Sequence, residues 1–167
     1  ISVTTLVGPD GDAHVYTPTA ADAKKIADAR LVIINGLGFE GWLSRLVQSS
    51  GKKPTIVTAT KGITPRKLGS EADPHAWQSV ANAKIYVANI HDALAAADAS
   101  GSETYRANAE NYLAKLDALD PDRLRTGRCV GQCRHQDIEV ILQRLLDLTH
   151  SLIERLFTRG HHQVARA

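Results

Sequence analysis

Methionine is absent from the 167 residues, and the chain opens at Ile1 without the charged, apolar and small-residue succession of a signal peptide. It is therefore read as a processed chain or a fragment. No eighteen consecutive apolar residues occur, so no segment is expected to span a bilayer as a helix. Cysteine is limited to Cys129 and Cys133, too few for a disulfide framework. Charge is nearly balanced at a formal +2, which predicts neither a nucleic-acid nor a membrane-surface partner. No Ser-His-Asp or paired-carboxylate arrangement stands out, and the chain is not expected to be an enzyme. What remains is length enough to bury a core, either as one domain or as one lobe of something larger.

The averages conceal a change of character near Asp120. Residues 1–120 carry eight lysines and four arginines against thirteen acids, whereas residues 121–167 carry eight arginines, no lysine and five acids. Alanine falls from 21 residues in the first part to two in the second, which also holds both cysteines and four of the seven histidines. The chain is read as two pieces, 1–120 and a divergent tail 121–167, with a frame slip or fusion as the expected origin of the second.

Ile1 to Val7 is β-branched and partly alternating, which predicts a strand. Thr19 can cap a helix from Ala20 to about Ala29, with Ala23, Ile26, Ala27 and Arg30 on one stripe. Leu31 to Ile34 is a continuous apolar run, as in a parallel strand covered on both faces. A helix follows over Trp42 to Gln48, then a strand over Thr55 to Thr60 and a loop over Lys61 to Glu71. A long helix is expected from Pro74 to about Asp98, with Val80, Ala83, Val87, Ile90 and Leu94 inward. Another begins at Ser102, with Tyr105, Ala109, Tyr112, Leu116 and Leu119 on one face. Pro121 should break it. In the tail, Ile138, Ile141, Leu142, Leu145, Leu148, Leu152 and Leu156 predict an amphipathic helix over about Asp137 to Phe157. Strands alternating with helices give the fold class, α/β with a parallel-sheet lobe and flanking helices, followed by a helical tail.

Two histidines stand where strands give way to loops, the binding edge of an open α/β sheet. His14 follows the turn signal Gly8-Pro9-Asp10-Gly11. His75 follows Asp73, able to cap a helix, and Pro74, suited to its first position. A ring beside the free N–H groups of a helix start is favoured in the neutral form that binds metal.

The order His14-x-Tyr16-x-Pro18, then Leu31-Val-Ile-Ile-Asn35-Gly36, Phe39-Glu40 and Trp42, then Asp73-Pro74-His75-Ala76-Trp77, resembles the periplasmic metal-binding proteins of bacterial zinc and manganese ABC importers. The resemblance runs from about Ile1 to Asp120. It implies the N-terminal lobe of a two-lobed solute-binding protein, with its first strand and helix lying upstream of Ile1 and the last helix leading toward a second lobe. It implies a periplasmic or otherwise extracytoplasmic location and delivery of a zinc or manganese ion to a membrane permease. His14 and His75 match the family's first-lobe ligand pair, while the histidine or glutamate and the aspartate of its second lobe have no counterpart, and that absent half would decide the metal. If one tetrahedral ion touches both rings, their nitrogens should stand about 3 to 4 Å apart. Without the upstream strand, Ile1 to Val7 could offer an unpaired edge for self-association.

Several residues carry plainer readings. Asp73 is most simply a helix cap, with ordering of His75 a lesser role. Tyr16 and Trp77 read as packing residues, and Glu40, which could neutralise a cation, reads first as a solvated acid at a helix start. Gly36-x-Gly38-x-x-Gly41 follows a strand and opens a helix, so a nucleotide-binding α/β enzyme is the alternative, although the acid expected about twenty residues on is missing. Cys129-x-x-x-Cys133-x-His135 has zinc-ligand types without a fourth partner at a recognised spacing.

Overall fold

The computed structural model describes residues 2–8 and 11–125, with side chains through residue 118. Helix α1 (Ala20–Asp28) is followed by strand β1 (Leu31–Ile34), helix α2 (Leu43–Ser49) and strand β2 (Thr55–Thr58). A small hairpin, β3 (Lys67–Leu68) and β4 (Glu71–Ala72), leads to helices α3 (Val80–Ala97) and α4 (Ser102–Arg125). β1 and β2 pair in parallel, Leu31 opposite Thr55 and Ile34 opposite Thr58, and α2 makes the crossover that parallel neighbours require. Ala59 and Thr60 extend the pairing past β2, donating to the carbonyls of Ile34 and Asn35.

The sheet is covered on both faces, which explains why β1 reads as an unbroken apolar run. On one side Ile26 of α1, Val32 of β1 and Trp42, Leu43 and Leu46 at α2 form a core. On the other, Leu31 packs against a core in which Ala83, Val87 and Leu94 of α3 meet Tyr105, Ala109, Tyr112 and Leu116 of α4. These are the faces expected from helical spacing. Burying a residue such as Leu116, fully enclosed, contributes about 1.5–3 kcal/mol.

The structure differs from the sequence-based expectations at several places. Residues 2–7 form no strand. β1 pairs only with β2 among the described strands, so this segment has no backbone neighbour, although Leu6 and Val7 still pack on the α1–β1–α2 core. Arg30 lies beyond the end of α1, exposed, and donates to the Ala97 carbonyl at 2.6 Å rather than joining the buried stripe. The loop expected over Lys61 to Glu71 ends in the β3–β4 hairpin, which turns at Gly69 with φ 67° and runs on to Ala72.

The helix expected from Pro74 starts instead at Val80. A 3₁₀ turn, Ala76–Gln78, comes first, and Ser79 is extended at φ −97°, ψ 126°. Asn82 stabilises this break by donating its side-chain N–H to the Ala76 carbonyl at 3.0 Å, the acceptor that residue 80 would use in a continuous helix. At the far end α4 continues through Pro121 to Arg125. Proline removes one N–H donor from the ladder, and a 24-residue helix whose earlier turns are packed on α3 absorbs that loss. Leu119 and the tail features from Cys129 onward, including the helix expected over 137–157, lie outside the described side chains. Among the described residues no helix is long and apolar enough to cross a membrane.

Candidate metal centre

His14 sits in an exposed loop at the mouth of the α1–β1–α2 core. Its backbone N–H donates to Asp12 Oδ1 at 2.8 Å, and the preceding carbonyl, of Ala13, accepts the Trp42 indole N–H at 2.7 Å. Tyr16, two residues on, packs edge-on to Trp42 with ring centres 5.1 Å apart and donates its hydroxyl to Asp22 at 2.8 Å. Asp22 completes a capping box with Thr19, accepting its backbone N–H at 2.9 Å and its hydroxyl at 2.8 Å, and also holds Lys25 at 3.0 Å. The N-terminus of α1 thereby fixes where the His14 loop returns to the fold.

His75 stands before the 3₁₀ turn, so the helix-terminus argument made for it from the sequence loses its basis. Asp73 replaces that argument. Its Oδ1 accepts the His75 backbone N–H at 3.0 Å and lies 2.7 Å from ring Nδ1. With Nδ1–H donating to the carboxylate, Nε2 is left with its lone pair, the arrangement second-sphere carboxylates give to ligating imidazoles. The His75 backbone N–H, then its ring, hold the Asp73 carboxyl below its ordinary range. Ordering His75, the lesser role on sequence grounds, is what Asp73 does here; it caps no α-helix.

The two Nε2 atoms are 3.2 Å apart, inside the interval expected for a shared ion. A cation about 2.0–2.1 Å from each would subtend roughly 100–105°, close to tetrahedral. Phe39 walls one side of the pair, its ring edge-on to His14 at 4.5 Å and to Trp77 at 5.2 Å, while Trp77 lies 5.2 Å from the His75 ring. Trp77 thus packs beside the pair, as expected, whereas Tyr16 packs on Trp42. The Trp77 indole N–H is buried with no partner among the described residues. Among those residues no group of three or more His, Cys, Asp or Glu side chains could hold an ion. Cys129, Cys133 and His135 lie outside them.

The glycine turn after β1 serves the site differently from the nucleotide-binding reading made of it. Gly36, Leu37 and Gly38 all take positive φ, at 88°, 57° and 82°. Successive N–H groups in such a turn form an anion-binding concavity. Here the anion is the chain's own Glu40: Oε1 accepts from Asn35 N at 2.7 Å and Oε2 from Gly36 N at 3.0 Å. Two amides at the start of the turn are thus taken up by the chain's own carboxylate, which counts against the nucleotide alternative, and Glu40 is no solvated acid. Gly36 is required twice over, by its φ and because a Cβ there would meet Thr58 Cγ2 at 2.5 Å.

Asn35, Glu40 and Tyr86 were missed as contributors. The Asn35 side chain donates to the carbonyls of Pro74, at 3.0 Å, and Gly36, at 2.9 Å, and its Oδ1 accepts the Tyr86 hydroxyl. Burial, then the Glu40 charge, push the Tyr86 phenol well above its ordinary value, so it remains a donor. The Asn-Gly pair signalled a turn; nothing local signalled a partner on α3.

The family described as zinc-uptake complex component A, periplasmic, matches residues 1–126. The iron-binding protein YfeA of Yersinia pestis is 38% identical over 138 residues, covering 79% of this chain and 44% of that protein. The manganese-binding lipoprotein MntA of Halalkalibacterium halodurans is 39% identical over 120 residues, covering 71% and 40%. Among solved structures, a manganese-bound periplasmic metal-binding protein from Candidatus Liberibacter asiaticus is similar at a TM-score of 0.67 and 40% identity, covering 75% of this chain and 49% of that one. The chain spans less than half the length of these relatives.

Proposed function

The chain belongs to the periplasmic zinc-uptake component family, and from that premise we propose that it captures a divalent transition metal, zinc or manganese, between His14 and His75 for delivery to the membrane permease of an ABC importer. The observation that carries this reading is the 3.2 Å approach of the two Nε2 atoms, with Asp73 on the far side of one ring. The relatives named for binding iron and manganese support metal carriage as the work, and the periplasmic family supports an extracytoplasmic compartment. Two imidazoles fill half of a four-donor set. The other half comes from water or from donors beyond the described residues, and those donors choose between zinc and manganese. The family match ends at residue 126, which supports placing the divergent tail shortly after residue 120.

Full zinc sites in folding peptides are worth about 10–16 kcal/mol, so half a donor set on a partly preorganised scaffold should retain about 5–8 kcal/mol. That corresponds to dissociation constants from roughly 0.2 mM to about 1 μM. Titration calorimetry with zinc and with manganese tests this, and His14→Ala or His75→Ala should each abolish the heat of binding. Retention of binding by either variant would sink the assignment. Nanomolar affinity would place further ligands in the chain, with Cys129, Cys133 and His135 examined first.

A further inference from the structure

We propose that Asn35 is a positioning residue for His75, holding the Pro74–His75 peptide so that the ring meets His14; this rests on the metal-capture reading above. A peptide group is planar, so gripping both its polar atoms fixes its orientation. Here the Pro74 carbonyl accepts from Asn35 Nδ2 at 3.0 Å, and the His75 N–H donates to Asp73 Oδ1 at 3.0 Å. Asp73 is two residues from His75 and moves with it. Asn35 is the grip that comes from outside the segment.

Every polar atom of Asn35 is bonded. Its N–H reaches Glu40, its carbonyl accepts the Thr60 hydroxyl at 2.6 Å and the Thr60 N–H at 3.3 Å, and its side-chain oxygen takes the Tyr86 hydroxyl. The residue therefore refers the His75 peptide to the ends of both parallel strands and to α3. Aspartate has the same shape and keeps the acceptor for Tyr86, but it cannot donate to Pro74. It would set a carboxylate oxygen against the Pro74 and Gly36 carbonyls where two bonds now stand.

The test uses the full chain at neutral pH. Zinc chloride is titrated calorimetrically into the parent, Asn35→Asp, Tyr86→Phe and His75→Ala. The ring nitrogen NMR signals of His75, which report its tautomer, are recorded on the folded metal-free proteins. Asn35→Asp should weaken zinc binding about tenfold and shift the His75 ring signals toward a tautomer mixture; Tyr86→Phe should do both to a smaller extent. A general loss of stability would lower the melting temperature without moving ring signals of the folded fraction. Parental zinc affinity together with parental ring signals in both variants overturns the proposal and leaves the metal reading standing. If His75→Ala takes up zinc like the parent, the metal reading fails, and the ring signals alone decide whether Asn35 positions His75, unchanged signals overturning it. Should Asn35→Asp not fold, Tyr86→Phe, which removes only one hydroxyl, carries the same outcomes.

Discussion

His14 and His75 meet at 3.2 Å but are held by different means. His75 is about one-third exposed, with its ring on Asp73 and its peptide gripped at both ends. His14 is exposed, and its ring touches only His75 and the edge of Phe39 among the contacts described. Its backbone is ordered by an exposed aspartate and, one residue back, by Trp42. Both histidines thus have their peptide held at its C=O and N–H, but only His75 has a bond from its ring to a carboxylate, and the outside grip on the His14 peptide, Trp42, belongs to the α1–α2 core. The consequence is that the His14 half should respond to damage in the α1–α2 core, while the His75 half should respond to loss of single polar atoms.

Trp42→Ala should break the comparison most severely. Trp42 is 7% exposed, and emptying such a site costs about 3–5 kcal/mol; urea unfolding would read the loss. In the fraction that stays folded, NMR signals of His14 should move while those of His75 hold. Equal movement of both would mean that the two halves share one support. Asp22→Ala comes next, at about 1–3 kcal/mol, because a buried acceptor is withdrawn from Thr19 and Tyr16. Thr19's backbone N–H and then its hydroxyl keep the Asp22 carboxyl far below the ordinary range, outweighing burial, with Lys25 and Tyr16 adding to the effect. A carboxylate depressed on folding stabilises the protein above its unfolded pKa, about 3.9, and that contribution is lost as pH falls below it. Unfolding midpoints measured from neutral pH to below about pH 4 should fall, and Asp22→Asn should flatten the decline.

The same contrast marks what could be read from the sequence. The His pair was legible because each histidine sits in a local block, and β1 because Leu31 to Ile34 is apolar whichever face is inward. The α1 cap was legible in Thr19, and its reciprocal partner Asp22 lay three residues on in plain view. Residues 2–7 have strand composition without forming a strand, since pairing depends on a neighbour that composition does not specify. Glu40 looked like a surface acid because its role depends on three successive positive φ angles, one of them at Leu37. Tyr86 lies 51 residues from Asn35, and no periodicity joins them. What was illegible is long-range polar bonding, the means by which Trp42 reaches the His14 peptide and Asn35 the His75 peptide.

Asp73→Asn sharpens the comparison from the His75 side. Asparagine can still accept the His75 N–H, so the turn should persist, but the charge-assisted bond to Nδ1 is gone. Loss of such a partner typically weakens metal affinity about 10-fold or more. Zinc calorimetry should show that weakening with both ligands present, and the amide signals of the His14 loop should stay in place. If they shift as far as those around His75, the ring of one histidine is supporting the backbone of the other, and the division into two separately held halves fails.

Asp12→Ala should have the smallest effect, and for a reason specific to the His14 half. The bond from His14 N–H to Asp12 Oδ1 is of good length at 2.8 Å, yet both residues are exposed. When the acceptor is removed, water can reach the freed N–H, so no desolvation penalty is left behind and the loss should stay within about 0.5 kcal/mol. The melting temperature should be unchanged within error, and the His14 amide should exchange its hydrogen faster, because Trp42 still holds the neighbouring carbonyl but nothing holds the N–H. Zinc affinity should drop less than in Asp73→Asn, since the missing bond orients a backbone group and leaves the ring nitrogens alone. A drop as large as that of Asp73→Asn would show that the exposed loop is as narrowly positioned as the His75 peptide, and the asymmetry between the two histidines would then rest on exposure and on the ring bond to Asp73.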